Sequence, residues 1–397
     1  MKKILIVLDG AADYPYPTPL QKAFKPNLDK IGKNSVLLRA RIAGKIAPES
    51  DVGVLSVLGF KDLNIGRGAL EALGMNEYHG KSLYLRVNFA TEKNGIIIDR
   101  RVQRNLTDEE AEALAKEINK IKFKYPFKFI HTIGHRGVLY IKMNASKNIS
   151  NTDPAYVKNK KGVSVAVEKF ENKVQQCKAL KNDKLSVKTA ETLNEFSLKV
   201  REVLNKSVIN KKRVEKGLLK ANILLFRDAE TKVKMMKKFK NWSIIADMPL
   251  ERGIGKMLGM KIVKVKEDQT SKGYEERAEI VKKTIKKSSG VYIHIKGPDI
   301  FGHDGDFEGK KKNIELIDKF FFQNIKDLVK KTRIAITCDH TTSCKAKAHT
   351  NNPVPVLISG LNVFGSENKF EENNKKEIKG YEIMKILKKH TVTPHFH

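Results

Sequence analysis

Acids and histidines stand directly after apolar runs in the C-terminal half of the chain. One apolar run ends at Ile295 and another at Thr337. The residues that follow are Asp299 and His303 after the first run, and Asp339, His340 and His349 after the second. Carboxylate and imidazole groups in combination suit zinc, manganese and similar divalent ions. Five such side chains are enough for more than one metal ion.

The N-terminus supplies a matching acid. The run Ile4 to Leu8 is short, apolar and rich in β-branched residues, and it ends on Asp9. This pattern predicts a buried parallel strand followed by a turn. Asp9, Asp299 and Asp339 thus each follow the carboxyl end of a predicted strand, where ligands gather in open α/β sheets. We expect these three distant segments to converge on one site.

Ser50 adds a nucleophile to these ligands. The segment Pro48 to Gly59 predicts a turn that enters a helix at Ser50 or Asp51. The start of a helix favours an alkoxide or a phosphate, although a serine there is also a common helix cap. A metal ion can lower the pKa of a bound hydroxyl enough for attack on phosphorus. Serine with metal ligands therefore indicates phosphoryl transfer.

Length and composition predict a globular protein. The chain has 397 residues, 40% of them hydrophobic, and a chain of this length favours two domains. Cys177, Cys338 and Cys344 cannot form a disulfide framework and lack the spacing of a zinc knuckle. The apolar start is too short for a signal peptide, and no segment has the length of a membrane span. We expect a soluble, cytoplasmic protein.

Lysine-rich runs give the chain a formal net charge of +32. Such charge can attract nucleic acid or a small anion. The runs lack regular aromatic residues and a nucleic-acid-binding motif, so we interpret them as solvated helix faces. No specific nucleic-acid partner and no membrane partner are expected. His390, His395 and His397 fall in the C-terminal tail and are assigned no role.

The pattern of elements predicts one α/β core built from both ends of the chain. The strand candidates besides Ile4 to Leu8 are Asn222 to Phe226, Trp242 to Ala246, Val291 to Ile295, Ile334 to Cys338 and Val354 to Ser359. Helical stretches such as Tyr274 to Lys287 and Lys312 to Lys330 separate most of them. This alternation is typical of a parallel sheet with covering helices.

The middle of the chain predicts a smaller α+β domain. Its strand candidates are Tyr84 to Thr91, Ile96 to Ile98, Phe127 to His131 and Val138 to Lys142. A capping signal at Thr107 opens a helix from Asp108 to Ile121, and a long helix from about Thr189 to Leu204 leads back to the core. We place the metal-binding core at residues 1–75 and 220–397, and an inserted substrate-binding domain at residues 76–219.

Several segments together resemble a known family. They are the strand ending at Asp9, the Pro-x-Ser-Asp turn at Ser50, Gly66 to Gly74, Asn88 to Thr91, Asp99 to Arg101, His135 to Gly137, Lys256 to Met260, Gly302 to Asp306, Asp339-His340 and Pro353 to Leu357. On these motifs the chain resembles the archaeal-type, cofactor-independent phosphoglycerate mutases of the alkaline phosphatase superfamily. The segments Gly66 to Gly74, Asp99 to Arg101 and His135 to Gly137 point to the mutase branch.

The resemblance implies a fold, a reaction and two divalent metal ions per chain, which could be manganese, zinc, cobalt or magnesium. The implied fold is an alkaline phosphatase-like three-layer α/β core with a mostly parallel sheet. The implied reaction interconverts 3-phosphoglycerate and 2-phosphoglycerate, in glycolysis and gluconeogenesis, through a phosphoserine at Ser50. One metal would be held by Asp9, Ser50, Asp339 and His340, and the other by Asp299, His303 and His349. Asp304 and Asp306 are interpreted as turn acids or as partners of the ligands.

The substrate carries a phosphate and a carboxylate, both of which Arg binds through two hydrogen bonds. The candidates for substrate binding are Arg100, Arg101, Arg104, Arg136 and Arg213, and those for catalysis besides Ser50 are His135, Asp153 and Lys256. Closure of the inserted domain is expected to exclude water. The family usually has glycine where this chain has Glu49 and Cys338, which bears on the rate of turnover.

Two alternatives stay open. The first is a metal-dependent phosphomonoesterase, or a mutase for another phosphorylated metabolite, on the same core. The second is a basic protein associated with nucleic acid, in which the metal site is vestigial. The sequence leaves the oligomeric state open.

Overall fold

The fold is described from a computed structural model. It describes residues 1–33, 35–44, 46–61, 65–159, 162, 164–167, 169–360, 369–374 and 376–389. The tail histidines at positions 390, 395 and 397 lie outside the described residues. Every residue proposed above for the site lies within them.

The strands are numbered in chain order. They are β1 (Lys2–Leu8), β2 (Ser35–Arg41), β3 (Leu83–Lys93), β4 (Ile96–Asp99), β5 (Phe127–Ile133), β6 (Arg136–Ile141), β7 (Tyr156–Lys158), β8 (Ser164–Ala166), β9 (Ile223–Glu230), β10 (Trp242–Ala246), β11 (Lys261–Lys264), β12 (Gly290–Ile295), β13 (Thr332–Thr337), β14 (Thr341–Ser343), β15 (Ala348–Thr350), β16 (Val354–Ser359) and β17 (Glu377–Lys379).

The helices are numbered in the same way. They are α1 (Pro19–Lys22), α2 (Pro26–Gly32), α3 (Ser50–Val57), α4 (Arg67–Gly74), α5 (Asp108–Ile118), α6 (Lys184–Lys206), α7 (Val208–Glu215), α8 (Pro249–Met257), α9 (Ser271–Lys287), α10 (Pro298–Asp304), α11 (Phe307–Ile317), α12 (Gln323–Val329) and α13 (Ile383–Lys388). A π-helical turn joins α11 to α12, and short 3-10 turns lie at Val102–Arg104 and Gly380–Glu382. Among the helices of the described residues, none is long and apolar enough to cross a membrane.

The chain forms two compact units. The larger consists of Met1–Leu63 and Met235–His397, and the smaller of Asn64–Lys234. Each has its own sheet, so each can be understood from its own sequence pattern. The assignment of metal binding to one unit and substrate binding to the other stays a prediction.

An eight-stranded sheet organises the larger unit, in the order β11-β10-β12-β1-β13-β16-β2-β17. The five strands from β11 to β13 run parallel, and β16 is antiparallel to both of its neighbours. Strands β1, β10, β12 and β13 are buried over nearly their whole length, which explains their continuous apolar sequences. The predicted α/β core with a mostly parallel sheet is confirmed.

Helices cover both faces of this sheet. One packed group contains α2, α9, α11 and α12, and a second contains α3, α8 and the turn before α13. Strands that are apolar on both faces require cover on both, which gives the three layers. The parallel register also places the carboxyl ends of β1, β12 and β13 side by side, because Leu8 pairs with Ile295 and Val7 pairs with Thr337.

The smaller unit contains an antiparallel sheet of five strands. Strand β3 pairs with β4, β6 and β9, and β5 pairs with β6. The helix α5 begins at the predicted capping box, in which Thr107 accepts from the Glu110 amide and the Glu110 side chain accepts from the Thr107 amide. The apolar faces of α5 and α6 pack on the sheet around Phe129 and Phe196.

One predicted strand lies in the other sheet. We assigned Asn222 to Phe226 to the α/β core, but this run is part of β9, which pairs with β3 in the smaller unit. The physical reason is that β3 is buried from Leu83 to Thr91, so the backbone groups at both of its edges need partners. β6 supplies one edge and β9 the other. A short apolar run does not reveal which sheet it joins.

Candidate active site

The carboxyl ends of β1, β12 and β13 bring three acids together. Asp9 follows β1, Asp299 lies in the first turn of α10 after β12, and Asp339 follows β13. Gly10 makes the approach possible, because a Cβ on Gly10 would lie 2.7 Å from Asp299 Oδ1 and 2.5 Å from Thr342 Oγ1. Its backbone also has a φ of 57°, which favours glycine. The predicted convergence of the three segments therefore occurs.

The first group of potential metal ligands consists of Asp9, Asp339 and His340. His340 Nε2 lies 3.3 Å from Asp9 Oδ1 and 3.3 Å from Asp339 Oδ2. All three atoms are buried and make no hydrogen bond to any part of the chain that the structure describes. Buried polar atoms normally have partners. A divalent cation between them would supply the missing partner for two carboxylates and an imidazole, so these residues fit a metal ion.

The second group consists of Asp299, His340 and His349, with His303 beside it. His349 Nε2 lies 3.4 Å from Asp299 Oδ1 and 3.2 Å from His303 Nε2. The other ring nitrogens face backbone carbonyls, at 2.9 Å from His349 Nδ1 to Pro48 O and at 3.2 Å from His303 Nδ1 to Lys347 O. A metal-binding histidine usually donates its second N–H in this way. Both Nε2 atoms are then free to act as ligands.

Thr342 connects the two groups. Its hydroxyl donates to Asp299 Oδ1 at 2.7 Å and lies 2.9 Å from His340 Nδ1. Because the hydroxyl proton is used on Asp299, the threonine oxygen accepts from His340 Nδ1, so Nε2 is the ring nitrogen that remains to bind a metal ion. The imidazole of His340 also stacks on that of His349, with ring centroids 3.8 Å apart.

The closely spaced acids of the site shift the pKa values of the groups around them. Burial alone would lower the pKa of His340, but the nearby carboxylates of Asp339, Asp9 and Asp299 raise it to about 9. Burial opposes ionisation of Asp9, whereas Lys296, His294 and His340 hold the pKa of its carboxyl well below the ordinary value. Three closely spaced carboxylates, two of them buried, thus favour positive charge on the neighbouring side chains.

Ser50 lies at the start of α3, in a segment that contacts both groups of ligands through Pro48 and Gly53. Glu49 occupies the N-cap position, so Ser50 is the first residue of the helix and is not its cap. A Cβ on Gly53, one turn later, would lie 2.4 Å from Asp339 O, so the helix packs directly on the backbone of Asp339. Pro48 O, on the other side of Ser50, faces His349. These two contacts fix the half-buried Ser50 next to the ligands.

Two cationic residues of β12 and its end were not predicted for the site. Lys296 donates a short hydrogen bond to Asp9 Oδ2, and His294 Nε2 lies 3.3 Å from the same oxygen. His294 lies inside β12, where the sequence suggests a structural histidine, and no sequence motif gives Lys296 a role. One sequence feature could have predicted Lys296 for the site. It directly follows a predicted strand, at the edge of the sheet that carries the acids.

The remaining candidates of the larger unit lie in α8 and around α10. Lys256 is in the last turn of α8, where burial and the charges of Lys264 and Arg252 lower its pKa. Asp304 is exposed at the end of α10. Asp306 caps α11, because its carboxylate accepts from the Gly309 amide. The interpretation of Asp306 as a turn acid agrees with this geometry.

In the smaller unit, two predicted residues pair with each other. Arg100 donates two hydrogen bonds to Asp153, at 2.6 Å and 2.9 Å. The Arg100 guanidinium also lies over the rings of Tyr156 and Phe170. Because both carboxylate oxygens of Asp153 accept from Arg100, this pair is a rigid structural contact in the described structure. Asp153 would have to release Arg100 before it could transfer a proton.

Arg213 does not face a binding site. Its side chain is 0% exposed, and it donates to Glu110, Asn105 and the carbonyl of Leu219. These contacts hold the turn after α7 against the start of α5. These internal hydrogen bonds contradict the expectation that the Arg213 guanidinium binds substrate. The sequence showed an Arg near a domain boundary, but it could not show that the guanidinium has internal acceptors.

A group of arginines surrounds His135 and Glu71, and we call it the arginine cluster. It consists of Arg67, Arg86, Arg101, Arg136 and Arg227, of which Arg67, Arg86 and Arg227 were not predicted. Burial and the charges of Arg227 and Arg67 lower the pKa of Arg86 to about 9. So many like charges in a partly buried place are costly unless an anion offsets them. Arg104, also near His135, is exposed.

His135 is held neutral by this cluster. Burial, followed by the charges of Arg136, Arg101, Arg86 and Arg104, lowers its pKa to about 2. The folded pKa is thus below the unfolded value, so the folded state loses stability as the pH falls below the unfolded pKa, near 6.5.

We expect this histidine to make the protein sensitive to acid. Between pH 6 and pH 4, His135 should cost up to about 1.4 kcal/mol of unfolding free energy per pH unit. The free energy of unfolding of the smaller unit, measured in urea, should therefore depend less on pH in His135→Gln than in the wild type. His79→Gln, at a side chain that is 46% exposed, is the control and should follow the wild type. An unchanged pH slope in His135→Gln would contradict the assignment.

Comparisons with known proteins agree with this architecture. The family model of 2,3-bisphosphoglycerate-independent phosphoglycerate mutase matches residues 38–210. The mutase of that name from Aeropyrum pernix is 39% identical over 94% of this chain and 94% of its own length. A relative with the same name from Archaeoglobus fulgidus is 35% identical over 90% of this chain and 88% of its own length.

Solved structures show the same fold. A protein from Pyrococcus horikoshii matches with a TM-score of 0.76 and 26% identity, over 97% of this chain and 96% of that one. The cofactor-independent phosphoglycerate mutase from Thermoplasma acidophilum matches with a TM-score of 0.60 and 25% identity, over 97% and 98% of the two chains. With relatives this similar over nearly its whole length, the chain belongs to the family of 2,3-bisphosphoglycerate-independent phosphoglycerate mutases.

Proposed function

We propose that the protein interconverts 3-phosphoglycerate and 2-phosphoglycerate without bisphosphoglycerate, through a phosphoserine at Ser50. The observation that carries the proposal is the set of buried ligand atoms without hydrogen-bond partners among the described residues, placed beside the start of α3. The relatives named above carry the name of this activity. The reaction would serve glycolysis and gluconeogenesis.

Asp9, Asp339 and His340 would hold one divalent ion, and Asp299, His303 and His349 a second. When bound, such ions lower the pKa of a coordinated hydroxyl and offset the charge of a phosphate. Manganese, zinc, cobalt and magnesium each suit some of these ligands. In the first group, which is buried, His340 Nε2 lies 3.3 Å from an oxygen of each of the two carboxylates, so the three residues could hold a small cation.

Ser50 would act as the nucleophile. Its oxygen loses the hydroxyl proton and forms a bond to phosphorus, while the bond from phosphorus to O3 of the glycerate breaks and O3 takes up a proton. The glycerate then turns, its O2 loses a proton and takes the phosphoryl group back, and the Ser50 oxygen is protonated again. The position of Ser50 at the first residue of α3 adds the field of the helix to the stabilisation of negative charge.

The arginine cluster would bind the anionic substrate. Arg86 is 5% exposed and its Nε makes no hydrogen bond within the described chain, so it has donor capacity for a carboxylate or a phosphate. Arg101 and Arg136 remain the predicted members of this set. His135 is uncharged in the cluster, so it would serve as a proton acceptor once a bound anion offsets the arginines. We assign Lys256 and Arg104 supporting roles in anion binding.

The test is an assay with each divalent ion in turn and no bisphosphoglycerate. We expect 2-phosphoglycerate to form from 3-phosphoglycerate and the activity to disappear when a chelator removes the ions. Free phosphate is measured in parallel. Its release in amounts equal to the substrate consumed, without 2-phosphoglycerate, would instead establish a phosphomonoesterase. Activity that is indifferent to chelation would contradict the metal-dependent mechanism.

We further propose a cytoplasmic location. The three cysteines, Cys177, Cys338 and Cys344, are all buried free thiols, which fits a reducing compartment.

A further inference from the structure

The two carboxylate oxygens of Asp9 have opposite surroundings. Oδ2 accepts the short hydrogen bond from Lys296 and lies 3.3 Å from His294 Nε2. Oδ1 makes no hydrogen bond within the described residues and faces His340 Nε2 at 3.3 Å. One oxygen is therefore occupied by the ammonium of Lys296, with the His294 ring beside it, and the other points into the first group of ligands.

Neighbouring side chains hold His294 and Lys296 in place. His294 Nδ1 lies 2.8 Å from the hydroxyl of Tyr292, which is buried in the same strand. Lys296 follows that strand directly, and its side chain is 17% exposed. The carboxylates of Glu251 and Asp247 also attract the ammonium of Lys296. Lys296 cannot move away from Asp9 without leaving the buried carboxylate of Asp9 unpaired.

From this geometry we propose that Lys296 is a positioning residue that makes Asp9 a one-oxygen ligand and reduces its strength as a ligand. The proposal rests on the proposed function in one respect, since it takes Asp9 to be a metal ligand. With Oδ2 held by Lys296, Asp9 cannot chelate an ion through both oxygens or bridge two ions. The remaining oxygen, Oδ1, can then bind an ion only on the side that faces Asp339 and His340.

The ammonium of Lys296 also opposes the binding of a cation. It competes for the charge of Asp9 and repels a divalent ion across a short, poorly solvated distance. An enzyme that moves a phosphoryl group benefits when positive charge remains available to the substrate and is not fully absorbed by ligand carboxylates. Loss of Lys296 should therefore tighten metal binding while it slows turnover, and these two effects have opposite signs.

The test is retention of Mn²⁺ against a chelator of known affinity, starting from the metal-loaded protein. In Lys296→Met we expect Mn²⁺ to be held about tenfold more tightly, or more, than in the wild type. At saturating Mn²⁺ the kcat should fall. Lys296→Arg keeps the charge and should retain Mn²⁺ as the wild type does. Lys296→Gln keeps a donor but removes the charge, so it should also retain Mn²⁺ more tightly than the wild type does.

Lys283→Met is the control for general loss of a positive charge, because Lys283 is exposed on α9. A merely structural role for Lys296 predicts weaker metal binding together with lower thermal stability. Equal or weaker Mn²⁺ retention in Lys296→Met than in Lys283→Met would overturn the proposal. Retention is measured whether or not the protein is active, so this outcome is separate from failure of the proposed reaction. If Lys296→Met does not fold, unchanged retention in Lys296→Gln decides against the proposal.

Discussion

Ser50→Ala is expected to abolish the mutase reaction, with a fall in kcat of roughly 10⁵-fold or more. The physical reason is that no bond from the protein to phosphorus can form without the serine oxygen. The measurement is steady-state conversion of 3-phosphoglycerate, combined with acid quenching of the wild type to detect a phosphoserine. We expect to detect phosphoserine in the acid-quenched wild type and none in Ser50→Ala.

Ser56→Ala is the matched control in the same helix. The Ser56 hydroxyl is buried and donates to Ile42 O at 2.8 Å, so it contributes to packing and lies away from the ligands. This variant should lose stability, by about 1 kcal/mol, and retain its kcat. If Ser50→Ala keeps more than a small fraction of the activity, the phosphoserine mechanism fails. If both variants lose activity equally, the effect is one of folding.

Asp339→Asn should remove about one metal ion per chain and lower kcat by roughly 10³-fold or more. Asn has nearly the same shape but no negative charge, so the buried His340 and Asp9 would face an incomplete ligand set. Asp339 is 0% exposed, and its Oδ1 accepts weakly from the Gly10 amide at 3.4 Å. The metal content is measured by elemental analysis after dialysis against the chosen ion.

Asp304→Asn provides the comparison, because it removes the same charge from an exposed acid at the end of α10. It should leave the metal content unchanged. Loss of an ion from Asp304→Asn would mean that the ligand set assigned here is wrong. Retention of both ions in Asp339→Asn, with full activity, would contradict the role of Asp339.

The positions of the acids were predictable because parallel strands are governed by simple rules. The runs at Ile4, Val291 and Ile334 are apolar on both faces, which predicts buried strands of one parallel sheet. Once these are aligned, Asp9, Asp299 and Asp339 must come to the same edge. This prediction does not require knowing which distant side chains are in contact. The structure confirms this edge in the pairing of β1 with β12 and β13.

The parts that were not predictable depend on partners distant in sequence. Nothing in the run at Asn222 shows that β3 needs a neighbour on its second edge. Arg213 and Arg86 are both basic residues near motifs, yet Arg213 donates to three internal acceptors and Arg86 is surrounded by like charges. Only the fold distinguishes a guanidinium with internal acceptors from one that has donors left for a ligand.

The contact of Gly53 with Asp339 has a consequence for how this chain can be altered. The helix that begins at Ser50 and the turn at Asp339 touch backbone to backbone, with 2.4 Å between a Cβ at position 53 and Asp339 O. A side chain larger than hydrogen at Gly53 would therefore push Ser50 and Asp339 apart, although Gly53 has no chemistry of its own. Segments 48–57 and 338–349 of this chain must accordingly match each other in shape. A chimaera that replaces only one of the two segments should shift Ser50 relative to Asp339.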